Sequence, residues 1–150
     1  MTAQRVVVAT DGSCLLNPGP GGWAWAAEDG RYDSGGHDGT TNNLMELRAV
    51  YEVLGAHPPE VPLLIQADSM YVINIFTRWI AGWAARGWKT ATKQPVSNRS
   101  AIEMIAQRLE GRDVVWEHVK GHAGHVLNER VDSLARAQSE AILAARATKP

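Results

Sequence analysis

The spacing of apolar residues switches several times between a two-residue and a 3.6-residue rhythm. Val6 to Thr10 is apolar on both faces, as in a strand at the centre of a sheet, and the pattern predicts that it ends on Asp11. Gly12, Ser13 and the small residues around Pro18-Gly19-Pro20-Gly21-Gly22 read as a loop. Trp23 to Glu28 alternates large and small residues, Glu28-Asp29-Gly30 is a hairpin turn, and Arg31 to Gly36 is a glycine-weakened return strand. Leu44, Leu47, Val50, Tyr51 and Leu54 then keep helical spacing until Gly55 and Pro58-Pro59. Leu63-Leu64-Ile65 is a short strand leading to Asp68. Tyr71, Val72, Ile75, Phe76 and Trp79 share a helix face, followed by a glycine-broken segment to about Asn98. Ala101 to Leu109 is helical, and Val114 to Val119 is a strand with Val114 and Trp116 on one face. After a Gly-His loop, a last helix carries Leu127, Val131, Leu134 and Ala135 in register, and the chain frays from about Thr148.

This order predicts an α/β fold, a five-stranded mixed sheet with helices on both faces, in a single domain over residues 1–150. The first three strands form a meander, and the later two, reached by crossovers, run parallel to a neighbour. The chain is 45% hydrophobic, enough for a real core, and its net charge of -1 does not mark a nucleic-acid binder. A single cysteine, Cys14, excludes a disulfide framework and suits a reducing, cytoplasmic compartment. No stretch has the length of a membrane span or a signal h-region.

Four carboxylates stand at element ends. Asp11 and Asp68 each close a strand; if those strands are parallel neighbours, both project from one sheet edge, where open α/β sheets place their sites. Glu46 shares a helix stripe with Val50 and Val53, and Asp132 lies beside Val131 and Ala135. Each has a plainer reading. Asp68 could form an Asx turn or cap the next helix, as Asp11 could less readily. Glu46 could complete a capping box with Asn43, and Asp132 could pair with Arg136 at i+4. Gathered in one place, the four would repel one another unless divalent cations sat among them, and an all-oxygen set suits Mg²⁺ or Mn²⁺.

In order and at matching spacings, "TDGSC", "NPGPGG", "TTNN", "MEL", "DS" with "YV", "RGWKTA" and "VKGHAGH" with "NER" resemble bacterial type 1 ribonuclease H over about residues 5–138. The resemblance implies hydrolysis of the RNA strand of RNA–DNA hybrids, with two Mg²⁺ ions (Mn²⁺ as a substitute), leaving 3′-hydroxyl and 5′-phosphate ends. It assigns Asp11, Glu46, Asp68 and Asp132 to metal binding. Asp11 would bridge the ions, Asp132 would serve the attacking water, and Glu46 and Asp68 the leaving 3′ oxygen. It gives His122 a part in proton transfer and product release. It places Cys14, Asn17, Thr41, Asn42, Asn43, Trp79, Trp83, Arg86, Trp88, Lys89 and Asn98 against the hybrid. It also implies that the residues after Asp11 are small so that backbone can approach the nucleic acid. A monomer without obligate protein partners is expected.

Arg78, Arg86, Lys89, Lys93 and Arg99 carry +5 between residues 78 and 99, with no acid, which leaves -6 on the rest of the chain. Three of the six tryptophans fall there too. The segment reads either as a solvated face over core tryptophans or as a handle for the hybrid, and the family's basic protrusion falls here. Departures from the family pattern are Leu16 for glycine, Gly39 for arginine, Met70 for glutamine, Ala84 and Ala85 for lysines, and Val126-Leu127 for Pro-Glu. They bear on substrate affinity rather than on the metal ligands. The competing readings are a non-catalytic nucleic-acid module, a zinc protein using His118, His122 and His125, and a nuclease of related fold with another substrate.

Overall fold

The computed structural model describes residues 4–120 and 125–147. Strands β1 (Val6–Cys14), β2 (Gly19–Ala27) and β3 (Tyr32–Thr40) make an antiparallel meander. Helix α1 (Asn42–Gly55) crosses to β4 (Leu63–Ala67), which pairs parallel with β1. A helical stretch follows: α2 (Met70–Asn74), a wide π turn over Ile75–Trp79, and α3 (Ile80–Ala85). An irregular segment leads to α4 (Arg99–Leu109), then to β5 (Val114–His118), parallel to β4, and to the long α5 (Val126–Ala147). The sheet order is β3-β2-β1-β4-β5. The expected mixed sheet and its parallel half are both present.

Two cores flank the sheet. Large residues fill one side: Val8, Trp23, Trp25, Leu47, Val50, Leu54, Ile65, Ile75, Ile102 and Ile105 pack among β1, β2, β4, α1 and α4. On the other side Ala9, Ala24 and Ala26 meet Val131 and Ala135 of α5. The small side chains let α5 lie almost on the backbone of β2. A Cβ on Gly22 would fall 2.1 Å from the Ala135 carbonyl oxygen.

Several element bounds differ from the expectation. β1 does not end at Asp11 but continues to Cys14, because β2 starts at Gly19 and keeps pairing with it (Gly12↔Trp23, Cys14↔Gly21). What ends near Asp11 is the parallel pairing, whose last partners are Thr10 and Ala67. The small residues also have a different cause from the one expected. Gly12 and Gly22 are small because α1 and α5 occupy the space a side chain would need: a Cβ on Gly12 would lie 2.4 Å from the Glu46 backbone nitrogen. The helix through Trp79 extends to Ala85, with its ladder widened where the Thr77 hydroxyl donates to the Ile73 carbonyl at 2.6 Å. β3 reaches Thr40, past the expected Gly36. The expected fraying from Thr148 lies outside the described residues; α5 runs to Ala147.

Candidate active site

Register explains why two of the carboxylates meet. Thr10 and Ala67 are paired, so Asp11 and Asp68 are the next residues of two parallel neighbours and stand together where that parallel pairing ends. Asp68 does not cap the following helix. Ser69 does, its hydroxyl accepting from the Val72 N–H at 3.3 Å. Glu46 reaches the same place from α1. The capping-box alternative fails, because the N-cap is Thr41, whose Oγ1 accepts from the Leu44 N–H at 3.2 Å. Glu46 therefore lies beyond the capping position, on the buried side of α1 with Val50 and Val53. The close approach of Gly12 to α1 brings Glu46 against Asp11.

Ligand oxygens of Asp11, Glu46 and Asp68 lie within 4.8 Å of one another. Asp11 is 3% exposed and Glu46 4%. Burial, then the negative charges of Asp68 and Asp132, push the Asp11 carboxyl up from 3.8 to about 7. Hydrogen bonds from Glu46 and from the Gly12 N–H (2.9 Å) partly oppose the rise. Glu46 is driven well above the ordinary range by burial and by Asp11 and Asp68. Without a cation the pair keeps protons to a higher pH than free carboxylates, which release theirs at about pH 4, well below neutrality. Three oxygen donors of this kind, two of them buried, fit a hard divalent cation. Among the described residues this is the group of His, Cys, Asp and Glu close enough to hold a metal, and the described histidines form no zinc set.

Asp132 stands apart from the three. It pairs with Arg136 at 2.8 Å, as its plainer reading had it, yet it is near enough to raise Asp11. His118 sits at the end of β5 with Nε2 3.2 Å from the Asp68 carbonyl oxygen. His122 lies outside the described residues.

The residues expected to meet nucleic acid fall into two groups. Asn17 Oδ1 accepts from the Asn42 N–H at 3.1 Å, which ties the β1–β2 loop to the start of α1, where Thr41, Asn42 and Asn43 stand within one to two turns of Glu46. The Cys14 thiol beside them donates to the Thr40 carbonyl at 3.3 Å, and burial raises its pKa. The second group follows α2. Trp79 is exposed, while Trp83 and Trp88 are half-buried against the core, with ring centroids 5.7 and 6.4 Å apart along the series. Arg86 and Lys89 are exposed, and Arg99 lies 5.1 Å over the Trp88 ring. Asn98, in the left-handed region, donates from Nδ2 to the Tyr71 hydroxyl at 3.0 Å. Sequence reasoning placed Tyr71 only on a core face and missed this contact. A hydroxyl on an otherwise apolar stripe was the available signal.

The sheet order, with an acidic group at the carboxyl ends of its parallel strands, defines an α/β protein of the ribonuclease H-like class. The chain belongs to the RNase H family, whose model matches residues 3–140. A Ribonuclease H of Tropheryma whipplei (strain Twist) is 47% identical over 137 residues, covering 91% of this chain and 85% of that one. A Ribonuclease H of Chromobacterium violaceum is 46% identical over 145 residues, covering 94% of this chain and 99% of that one. The crystal structure of a type 1 RNase H with the type 2 active-site motif superposes with a TM-score of 0.82 at 30% identity, covering 95% of this chain and 75% of that one. Membership makes the chain an enzyme, a nuclease of a family that depends on divalent metal.

Proposed function

We propose that this chain cuts the RNA strand of RNA–DNA hybrids with two Mg²⁺ ions, leaving 3′-hydroxyl and 5′-phosphate ends, and acts as a single-domain cytoplasmic monomer. The observation that carries the reading is the convergence of Asp11, Glu46 and Asp68 from β1, α1 and the end of β4. Divalent ions bound there would activate a water and neutralise charge on the leaving oxygen. On the family resemblance, Asp11 would help hold both ions, Glu46 and Asp68 the one serving the leaving oxygen, and Asp132 the one supplying the attacking water. Arg136 pairs with Asp132 at 2.8 Å. Burial keeps bulk water from screening these charges, so the site has a strong appetite for a cation. Asn17, Asn42 and Asn43 offer short polar groups to 2′-hydroxyls in a shallow minor groove, as RNA recognition requires. His122 takes the proton-transfer role.

The test is cleavage of matched RNA–DNA, RNA–RNA and DNA–DNA duplexes in Mg²⁺, with and without EDTA. Cutting of RNA in the hybrid alone, abolished by EDTA, is expected. Equal cutting of the DNA duplex, or full activity in EDTA, would contradict the reading.

A further inference from the structure

Leu16 occupies the tip of the β1–β2 loop in a conformation that a leucine ordinarily avoids. Its φ is 61°, in the left-handed region, where a branched side chain crowds its own backbone. The strain is not repaid by packing, since the residue is 72% exposed. Asparagine, aspartate or glycine would hold the same turn at lower cost. A strained backbone carrying a solvent-facing isobutyl group gains nothing for the fold by itself, so an external contact is the natural place to look for its use.

The position narrows what that contact is. The neighbouring Asn17 accepts from the Asn42 N–H, so the tip is held beside the start of α1, where Thr41, Asn42 and Asn43 stand. Leu16 is five residues beyond Asp11 and two beyond the end of β1 at Cys14, so it lies within about 16 Å of that carboxylate. That is the scale on which a duplex lying over the carboxylates presents its minor groove and the sugar edges of nearby nucleotides. Leucine offers no hydrogen bond to a 2′-hydroxyl, but it can cover the apolar edge of a sugar.

Resting on the hybrid-cleaving reading above, we propose that Leu16 is a substrate-binding residue that packs against sugar edges in the minor groove. It adds an apolar, salt-insensitive contribution to affinity in a protein whose net charge is close to neutral. The folded state bears the strain of the left-handed backbone, and substrate binding offsets it.

The test uses the full chain with Leu16→Gly, which removes both side chain and strain, and Leu16→Met, which keeps an apolar group. KM for an RNA–DNA hybrid should rise about five- to tenfold in Leu16→Gly with little change in kcat, and Leu16→Met should stay near wild type. The slope of log affinity against log salt should not change, because no phosphate contact is lost. The melting temperature of Leu16→Gly should rise by a few degrees. An unchanged KM in Leu16→Gly, including one accompanied by a loss of self-association, would overturn the proposal. A fall in salt slope would also overturn it. A wild type that leaves the hybrid uncut would remove the parent reading instead, so the two failures are distinguishable.

Discussion

Asp11 and Glu46 are buried beside Asp68, whereas Arg78, Arg86, Lys89 and Lys93 stand in solvent along the segment after α2. Both regions concentrate charge of one sign, but the consequences differ. In the interior the carboxylates have lost their water and repel one another, so the folded chain holds protons at Asp11 and Glu46 and favours any cation that can replace them. At the surface the cations are screened and already satisfied by solvent, so their clustering costs the fold little and adds reach toward a polyanion. Burial makes charge a matter of pH and metal; exposure makes it a matter of salt.

The largest effect should come from breaking the buried side. Asp11→Asn keeps the side-chain shape and removes one negative charge; cleavage of a hybrid should fall by about 10³-fold or more, read as initial rate at saturating Mg²⁺. A mutant that cuts near the wild-type rate would show that the cluster is not the reacting centre.

A smaller effect sharpens the pH side of the comparison. Folded-state carboxyl pKa values raised above their unfolded values stabilise the fold below the unfolded values, and that stabilisation is lost as pH rises through the folded ones. For Asp11 the window runs from 3.8 to about 7, and Glu46 acts in the same direction. In EDTA the wild type should therefore melt several degrees lower at about pH 8.5 than at about pH 5.5, and Asp11→Asn should show a flatter profile. Equal slopes in the two proteins would mean that other groups govern the dependence.

The smallest expected effect belongs to the surface. Lys89→Ala should weaken hybrid binding about threefold at moderate salt and make the salt dependence shallower by about one unit of slope, with turnover at saturation unchanged. Affinity that does not move at low salt would make the segment a solvated face.

The two regions were also unequally legible in sequence. The apolar rhythm around Val8, Leu47, Ile65 and Val131 specified strands and helices well, because core positions obey the periodicity of their own element. The element ends did not follow from periodicity. β1 runs on through Asp11 because glycines at 19, 21 and 22 make a strand that has little side-chain pattern to read. The π turn over Ile75–Trp79, where the Thr77 hydroxyl donates to the Ile73 carbonyl, leaves no mark in the apolar spacing. For the site, strand ends pointed to Asp11 and Asp68, and the stripe with Val50 and Val53 pointed to Glu46. Their convergence needed the register of β1 with β4 and the approach of α1 at Gly12, which are tertiary facts. The tryptophans of the basic segment divide between the alternatives, with Trp83 and Trp88 leaning on the core and Trp79 open to solvent.

The central claim is that the fold gathers like charges for a metal to neutralise, and thermal unfolding of wild type and Asp11→Asn, each in EDTA and in Mg²⁺, tests it most directly. In EDTA near neutral pH the mutant should melt above the wild type, because one source of repulsion is gone. Mg²⁺ should raise the wild-type melting temperature by mass action and the mutant's much less. A mutant that melts well below wild type in EDTA, or that gains as much from Mg²⁺, would show that Asp11 is a structural residue of β1 and not a metal ligand.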